Sequence, residues 1–556
     1  MSISQEILAL IRRVKCPHFD EFESRKRIRQ FFLPRRICIF AIGLFVLLYF
    51  LIFSKSSTTS IAELCLDDRL RHWKLRENDF SISLLGQTLH FTANGFLGIG
   101  NDGELRIKDT SSRVLSFVTA FFPLISARIE QYNSESSASI TDYRTGTIKR
   151  IQCFTIEKCV CITRSVYAHR SRPHILVQEI QTNNPTVRFQ IFFKNEFSSI
   201  GDSFVYTRSF ESKSSRTTMA VICSSVPKNV IVEWKREDSS RFTCAFDYEV
   251  DLLGLHSVTF GISKSFAPNA LNPRLINFTR YALLANSRDL LIEKFSTDEQ
   301  KKVHLAFNLL LKNDMCYNGH STLMMPSKLW KASESMSELI RTIDIWILTL
   351  EKRGCFNLVK AGATGIAQAF VLSLLAFKFS GEHMEMEIDP SDLHREISVN
   401  NLPFSPNINL SIVVQLDDEN RPYFLLSSPS LVYACDAGCL DVPIELGQNR
   451  VRLPIKVTRP LTPILYISAN KKHLEQLHGA IHVFEVVNAP AHEHDLIALH
   501  KHGHRLGGLP LSFWVLLCAL VIVFHLFLFK LLYSEWKKGD STPYNYYLRQ
   551  RYMRTH

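Results

Sequence analysis

The sequence contains neither a glycine-rich phosphate-binding loop nor a dinucleotide-binding fingerprint. Their absence removes the two motifs that identify P-loop nucleotide hydrolases and Rossmann-type oxidoreductases. No Ser/His/Asp order can be assigned either, because serine is too abundant for one nucleophile to stand out. Charge is also scarce: charged residues make up 21% of the chain and hydrophobic residues 46%, which excludes an intrinsically disordered protein. We therefore predict a folded protein of several domains that needs no cofactor.

Two stretches of the chain lack charge altogether. Residues 37–53 are just long enough to cross the hydrocarbon core of a bilayer, and residues 511–529 form a second such run. Nine Lys/Arg precede the first run and a basic tail follows the second, so the positive-inside rule keeps both termini in the cytosol. The arginine pair at 12–13 resembles retrieval signals of the endoplasmic reticulum. We therefore predict a membrane protein of the endoplasmic reticulum or Golgi, with its main domain in the lumen.

The net charge of +12 does not indicate a nucleic-acid-binding protein. On a soluble domain such a charge would suggest nucleic acid. Here much of it lies in the short flanks of the two uncharged runs, where topology and anionic cytoplasmic lipid explain it. We predict the membrane as a partner and no nucleic acid, and we leave the oligomeric state open.

Ten of the thirteen cysteines lie between the two predicted spans. An even number of cysteines in an oxidising compartment permits disulfides, although buried free thiols are the alternative and connectivity cannot be read from the sequence. Cys435 and Cys439 are our candidate local pair, because Gly438 eases the turn of the small loop between them. Sequons in the same region predict N-glycans on Asn277 and Asn409.

The texture of the sequence changes along the chain and sets the predicted boundaries. Short alternating runs between turn residues, up to about 271, predict many antiparallel strands and a large β-sandwich. Helical patterns follow, and strand-like text then returns. Within the helical part, the uncharged residues 361–377 favour a buried helix over a third span, because they include polar residues and glycines. The predicted segments are a basic cytosolic N-terminus (1–36), a transmembrane helix (37–53), a stalk (54–79), a β-domain (80–271), a helical segment (272–399), a C-terminal β-domain (400–488), a His-rich linker (489–508), a second transmembrane helix (509–533) and a basic cytosolic tail (534–556).

Three local stretches carry a resemblance to a known family. Residues 91–98 read FTANGFLG, residues 319–323 read GHSTL and residues 361–369 read AGATGIAQA. They resemble, in order, an early asparagine-glycine turn, a late phosphate-binding barrel loop and the last barrel helix of glycoside hydrolase family 65, which includes the maltose and kojibiose phosphorylases. The resemblance implies a membrane-anchored α+β protein. It would have a lumenal antiparallel β-supersandwich, a helical segment reduced from an α/α barrel and a C-terminal β-domain, flanked by two transmembrane helices.

The same resemblance implies a ligand-binding loop at His320, Ser321 and Thr322, with Trp330 as a sugar-stacking surface. The residues fit a capped loop histidine and a core tryptophan equally well. The helical segment is too short for a full barrel, and the general-acid stretch of the family is absent. A glycosidase or phosphorylase needs an acid on the leaving oxygen, so we predict no catalytic residue.

The histidines between 489 and 508 allow three interpretations. His500 and His504 lie four residues apart, on one face of a helix, and could hold Zn²⁺. The same histidines could sense acidification along the secretory route, or the segment could be a polar linker. We predict no metal site and name these two residues as the candidates.

The order of the segments also resembles a metazoan family of membrane proteins that is defined by a domain of unknown function. We predict a secretory-pathway membrane protein whose lumenal, glycosidase-like domain binds glycans or glycoproteins without catalysis. The alternatives are an active glycoside hydrolase or phosphorylase and an adaptor that scaffolds other membrane proteins.

Overall fold

The computed structural model describes residues 60–491, with internal gaps, and residues 511–539. The predicted transmembrane helix 37–53, the N-terminal segment, His500, His504 and most of the predicted tail lie outside the described residues. The gaps are 85–87, 109–113, 119–125, 130–131, 156–158, 184–188, 195–197, 201–202, 213–214, 225–228, 233–241, 244–257, 263–270, 295, 310–315, 325, 332, 394–395 and 406–407.

The described residues form mostly antiparallel β-sheet with few helices, as the alternating sequence pattern predicts. Every described strand pair is antiparallel. The strands are β1 (Phe80–Ser83), β2 (Phe91–Ala93), β3 (Leu97–Gly100), β4 (Glu104–Lys108), β5 (Val114–Val118), β6 (Ser126–Arg128), β7 (Ser134–Asp142), β8 (Thr147–Thr155), β9 (Cys159–Ala168), β10 (Leu176–Asn183), β11 (Phe189–Lys194), β12 (Ser198–Ile200), β13 (Ser203–Ser212), β14 (Ser215–Ser224), β15 (Asn229–Val232), β16 (Phe242–Thr243), β17 (Thr259–Ile262), β18 (Phe377–Ser380), β19 (His383–Met386), β20 (Ile397–Ser405), β21 (Ile408–Leu416), β22 (Pro422–Ser427), β23 (Val432–Asp436), β24 (Ile444–Leu446), β25 (Val451–Pro454), β26 (Lys456–Arg459), β27 (Leu465–Ser468) and β28 (Glu485–Asn488).

These strands form seven sheets. The largest has six strands in the order β1-β7-β8-β9-β10-β16, and two sheets have five strands, in the orders β17-β20-β21-β22-β25 and β18-β19-β27-β23-β24. The smaller sheets are β2-β3-β4-β5, β15-β11-β6, β12-β13-β14 and β26-β28.

The helices lie before, between and after the two β-rich regions. They are α1 (Ile61–Lys74), α2 (Pro273–Ala285), α3 (Asp298–Leu309), α4 (Pro326–Leu329), α5 (Met336–Leu350), α6 (Phe356–Lys360), α7 (Ala363–Leu374), α8 (Lys471–Ala480) and α9 (Leu511–Gly539). One π-helical segment (Glu351–Cys355) joins α5 to α6, and short 3₁₀ turns occur at Glu77–Asp79, Thr322–Met324, Pro390–Asp392 and Ala437–Cys439.

Helix α1, in the segment predicted as a stalk, packs on the six-stranded sheet. Ala62, Leu66 and Leu70 recur every four residues and form one buried stripe. The stripe packs with Ile140 of β7 and Ile151 of β8 in a common apolar cluster. The N-terminal part of the predicted stalk lies outside the described residues, but its helix is part of the folded domain because of this stripe.

One hydrophobic core runs through the helices and both β-rich regions. The hydroxyl of Tyr281 on α2 donates to the carbonyl oxygen of Phe91 on β2 (2.7 Å), and the two rings pack with centroids 5.0 Å apart. On the other side of the helical segment, Trp346 of α5 packs against Phe370 of α7 with centroids 5.2 Å apart. The helical segment therefore shares its core with the strands that precede and follow it.

Helix α7 answers the question of a third span. It covers Ala363–Leu374, twelve residues, and ten of them are buried in the folded domain. A span of the hydrocarbon core needs about twenty residues. The prediction of a buried core helix within 361–377 is confirmed.

Two segments pair differently from the predicted boundaries. Strand β17, at the end of the first β-domain, pairs with β20 of the C-terminal sheet, because Ile262 and Ile397 add to the same core. Strands β18 and β19 fall within the predicted helical segment 272–399, yet they form an edge of the second five-stranded sheet. The helices of that segment end at Leu374.

Helix α9 contains the second predicted span, 509–533, from residue 511 onward. Within the described part of the chain it is one helix long and apolar enough to cross a membrane, over Phe513–Trp536, and none of that stretch is buried. Its 24 residues would extend about 36 Å.

Candidate functional site

The predicted ligand-binding loop lies between α3 and α4 and is held by hydrogen bonds to α7. The Ser321 hydroxyl donates to the carbonyl oxygen of Leu374 (2.5 Å), and the Thr322 hydroxyl donates to that of Ser373 (3.0 Å). The indole nitrogen of Trp330 donates to the carbonyl oxygen of Thr322 (2.8 Å). The loop is therefore built into the core by donors that the sequence suggested for a ligand.

Three of the four predicted residues face the core. Ser321, Thr322 and Trp330 are buried, and the Trp330 ring packs edge-on against Trp346. His320 is exposed, although its carbonyl oxygen accepts a hydrogen bond from the Tyr317 hydroxyl (2.7 Å). The structure thus brings the four residues together but leaves one side chain, that of His320, on the surface.

Arg353 adds a positive charge beside His320. Gly319 has a φ of 133°, and its Cα lies so close to the guanidinium of Arg353 that a Cβ would overlap it. The Arg353 Nη1 lies 3.4 Å from the carbonyl oxygen of Asn318, to which it donates. Burial raises the pKa of the Tyr317 hydroxyl, which the charge of Arg353 opposes. The surface of this loop therefore offers an imidazole and a guanidinium, which suit an anionic or hydrogen-bonding group.

A second polar cluster, which the sequence reasoning missed, lies on one face of the sheet β18-β19-β27. The Lys378 ammonium is 3.2 Å from a carboxylate oxygen of Glu385 and 3.1 Å from one of Glu387. His383 Nε2 lies 3.6 Å from the other Glu385 oxygen, and His383 Nδ1 is hydrogen-bonded to His473 Nε2 of α8 (2.9 Å). The signal was the alternating stretch HMEME at 383–387, which places its polar residues on one face of a strand.

The charges of this cluster stabilise one another. Burial raises the pKa of Glu385, but the contacts with His383 and Lys378 outweigh it and hold the pKa below its usual value. Burial lowers the pKa of Lys378, but the two glutamates outweigh it and raise the pKa. Burial and the charge of Glu385 raise the pKa of the nearby Tyr466. The cluster therefore holds an ionised carboxylate and an ionised amine, neither of which can serve as a proton donor or a nucleophile without breaking an ion pair.

The two predicted glycosylation sites occupy different surroundings. Asn277 lies on α2, where its amide donates to the carbonyl oxygen of Asn78 (3.1 Å), and Thr279 of the same sequon is buried. Asn409 lies on β21 and is partly exposed. Both side chains reach the surface of the folded domain at least in part.

The predicted pair Cys435 and Cys439 is one of four cysteine pairs placed in disulfide contact among the described residues. Gly438 adopts a φ of 75° in the loop between them, which is the conformation expected of a glycine there. The other pairs are Cys65–Cys159, Cys153–Cys161 and Cys316–Cys355.

Cysteines also form the one cluster of metal-ligand residues in the described parts of the chain. The sulfur atoms of Cys153, Cys159 and Cys161 lie within 4.8 Å of one another. All three already contribute to disulfide pairs, and Cys65 completes the group as the partner of Cys159.

Comparison with known sequences identifies the family. The model of the family described as "Uncharacterized conserved protein (DUF2152)" matches residues 22–249 and 247–555, so the chain belongs to this family. Two relatives, both described as "Uncharacterized protein KIAA2013 homolog", come from Xenopus tropicalis and Xenopus laevis. Each is 28% identical to this chain over 586 and 587 residues, respectively, which cover 90% of the chain and 94% and 95% of the relatives.

Among solved structures, a "Putative kojibiose phosphorylase from human microbiome" is similar to this chain. The two are 10% identical, with a TM-score of 0.22 over 53% of this chain and 59% of the other. This is a weak structural resemblance to the glycoside hydrolase family 65 type that the three sequence stretches indicate.

Proposed function

We propose that this protein is anchored in a membrane of the secretory pathway and that its disulfide-bonded domain faces the lumen and acts by binding. One observation carries the proposal: the same chain combines four cysteine pairs in disulfide contact with an exposed apolar helix of spanning length. Disulfides persist in oxidising compartments and are rare in the cytosol. A chain that has both features is best explained by insertion into a membrane of that pathway.

Helix α9 supports the membrane anchor. Large apolar side chains cover every side of it and are exposed, whereas a surface helix of a water-soluble domain has one apolar stripe. A bilayer removes such side chains from water, at about 25 cal/mol for each Å² of apolar surface. Basic residues follow in the tail after 536, as expected for a cytosolic C-terminus.

Binding without catalysis fits the chemistry of the polar groups. The Ser321 and Thr322 hydroxyls donate to backbone carbonyl oxygens, so neither is available as a nucleophile or a phosphate ligand. Glu385 has a lowered pKa, whereas a glycosidase acid needs a raised one to hold its proton near neutral pH. What remains for a glycan or glycoprotein is the surface of His320 and Arg353, which could take an acidic sugar or another anionic group.

Glycosylation mapping tests the topology. Full-length protein with Asn277→Gln or Asn409→Gln is treated with an endoglycosidase, and we expect each substitution to remove one glycan-dependent mobility shift. An unglycosylated protein whose domain is digested by protease from the cytosolic side of intact microsomes would overturn the lumenal assignment. A glycan on Asn277 without one on Asn409 would place the C-terminal β-domain in the cytosol.

A glycan array tests the binding activity. We expect detergent-solubilised full-length protein to bind acidic glycans, and His320→Ala combined with Arg353→Ala to abolish the signal. His72→Ala, on the exposed face of α1, is the matched control and should bind as the native protein does. Phosphorolysis or hydrolysis of an α-linked disaccharide by the same preparation would favour the active enzyme instead.

A further inference from the structure

Four cysteines meet between helix α1 and the six-stranded sheet. Cys65 on α1 is bonded to Cys159 on β9, and Cys153 on β8 is bonded to Cys161 on β9. The two disulfides adjoin each other, because the Sγ atoms of Cys159 and Cys161 are 3.8 Å apart. Four sulfur atoms from three separate elements therefore form one group.

The backbone geometry explains why they meet. Cys159 and Cys161 are two residues apart on β9 and so point to the same face of the sheet. Cys153 is directly opposite Cys161 in the antiparallel register of β8 and β9. Helix α1 covers this face through Leu66 and its other buried residues, which brings Cys65 beside Cys159.

The two disulfides differ in access to solvent. Cys153 is 0% exposed and Cys161 is 2% exposed, whereas Cys65 and Cys159 are half-buried. A thiol from solution can therefore reach the Cys65–Cys159 disulfide, and it can reach the inner disulfide only through Cys159.

We propose that these four cysteines form a thiol–disulfide exchange site whose substrate is a solvent thiol, either a glutathione-sized molecule or a cysteine of an extended peptide. In the first step an external thiolate attacks Cys65 Sγ. A mixed disulfide with Cys65 forms, the Cys65–Cys159 bond breaks, and the electron pair remains on Cys159 as a thiolate.

In the second step the Cys159 thiolate attacks its neighbour, Cys161 Sγ. A Cys159–Cys161 disulfide forms, the Cys153–Cys161 bond breaks, and Cys153 leaves as a thiolate that takes a proton from water. Two disulfides and one thiol are present before and after, so no separate oxidant is required. The site thus transfers the reactivity of an exposed disulfide to a buried cysteine.

The other two pairs provide controls within the same molecule. Cys316 and Cys355 are both 0% exposed, and Cys435 and Cys439 are buried as well. Within the described residues, neither pair has a third cysteine close enough to join a group of three. Exchange of the proposed kind is therefore not expected at either pair.

The Cys65→Ser substitution tests the second step directly. It leaves Cys159 as a free thiol beside the Cys153–Cys161 disulfide. The full-length protein is alkylated in detergent and digested with trypsin, which cuts after Lys158 and separates Cys153 from Cys159 and Cys161. We expect a peptide 151–158 with alkylated Cys153 and a peptide 159–164 with an internal disulfide. Retention of the Cys153–Cys161 link in every molecule, with Cys159 alkylated, would overturn the proposal.

Two further measurements guard against misfolding of that variant. Native protein is treated with glutathione or with a cysteine-containing peptide, and we expect an adduct on Cys65 together with alkylated Cys153, at a rate at least about tenfold above any reaction of Cys316. An adduct without release of Cys153 would contradict the second step. Cys355→Ser is the matched control, and all pairs other than its own should stay unchanged. Purified native protein with four reduced thiols and one bound zinc ion would show a metal site instead.

Discussion

The Cα of Gly95 lies directly against the peptide bond that joins Ser287 to Arg288. Gly95 has a φ of 86°, and a Cβ added there would overlap the backbone of both residues. The preceding Asn94 is buried; its amide donates to the carbonyl oxygens of His169 and Pro173 (2.9 Å each), and its side-chain oxygen accepts from two backbone nitrogens. The asparagine-glycine turn that resembles a carbohydrate-enzyme motif is therefore a joint between the β2–β3 hairpin, the turn after β9 and the end of α2.

Gly95→Ala should lower the free energy of unfolding by about 3 kcal/mol or more, because the methyl group meets backbone and the φ is unfavourable. Gly381→Ala is the matched control: Gly381 also has a positive φ (63°) but nothing within 4 Å of its Cβ position. We expect it to cost about 1 kcal/mol. Urea unfolding followed by tryptophan fluorescence compares the two, and equal losses would contradict the close packing.

His90 should make the protein less stable in mild acid. It is fully buried, its Nδ1 is 2.7 Å from the Thr141 hydroxyl, and burial, with a contribution from Arg274, lowers its pKa from 6.5 to about 4. Above pH 6.5 the ring is neutral in both states and costs nothing. As the pH falls from 6.5 towards 4, the unfolded state takes up a proton that the folded state does not, so stability falls by at most about 3 kcal/mol.

His90→Gln should remove this part of the pH dependence, because glutamine stays neutral. His72→Gln, on the exposed face of α1, serves as the control and should leave the slope between pH 4 and 6.5 as it is in the native protein. Urea titrations at several pH values measure both. An unchanged slope in His90→Gln would mean that His90 does not titrate in the manner expected.

Lys456→Met should destabilise the protein because it leaves a buried carboxylate without its counter-ion. Lys456 Nζ is 2.6 Å from oxygens of Asp436 and Asp441, Asp436 is 2% exposed, and burial raises the pKa of Asp436 even against the charge of Lys456. We expect a loss of about 3 kcal/mol at pH 7. The loss should shrink as the pH falls, since the folded state then binds a proton on Asp436 at a higher pH than the unfolded state does.

The double variant Lys456→Met with Asp436→Asn should recover most of that loss, because it removes the unpaired charge. Lys471→Met, whose ammonium is exposed and 3.9 Å from Glu475, is the control and should change stability by less than about 0.5 kcal/mol. Additive losses in the double variant would show that the two charges do not depend on each other.

Ser321→Ala should lower stability by about 1–3 kcal/mol, because the buried carbonyl oxygen of Leu374 loses its donor. His320→Ala, one residue away and exposed, should stay within about 0.5 kcal/mol and affect ligand binding alone. Thermal unfolding and the glycan array together separate the two roles. A Ser321→Ala protein of native stability that no longer binds would assign the hydroxyl to a ligand.

Local features of the fold could be predicted from the sequence because neighbouring residues decide them. The length of the apolar run gave helix α9, alternation gave the antiparallel strands, and the polar residues within 361–377 argued for the buried helix α7. The disulfide between Cys435 and Cys439 also belongs here, since four residues and a glycine are enough to close it.

Distant pairings were decided by the tertiary structure. Cys65 and Cys159 are 94 residues apart, and the Ser321 hydroxyl reaches a carbonyl 53 residues away. The serine and threonine of a phosphate-loop pattern look the same whether their hydroxyls face a ligand or a helix end. Sequence alone determines which side chains alternate and which stretches are apolar; which faces meet depends on how sheets and helices pack, because that packing selects the partner of each buried donor and sulfur.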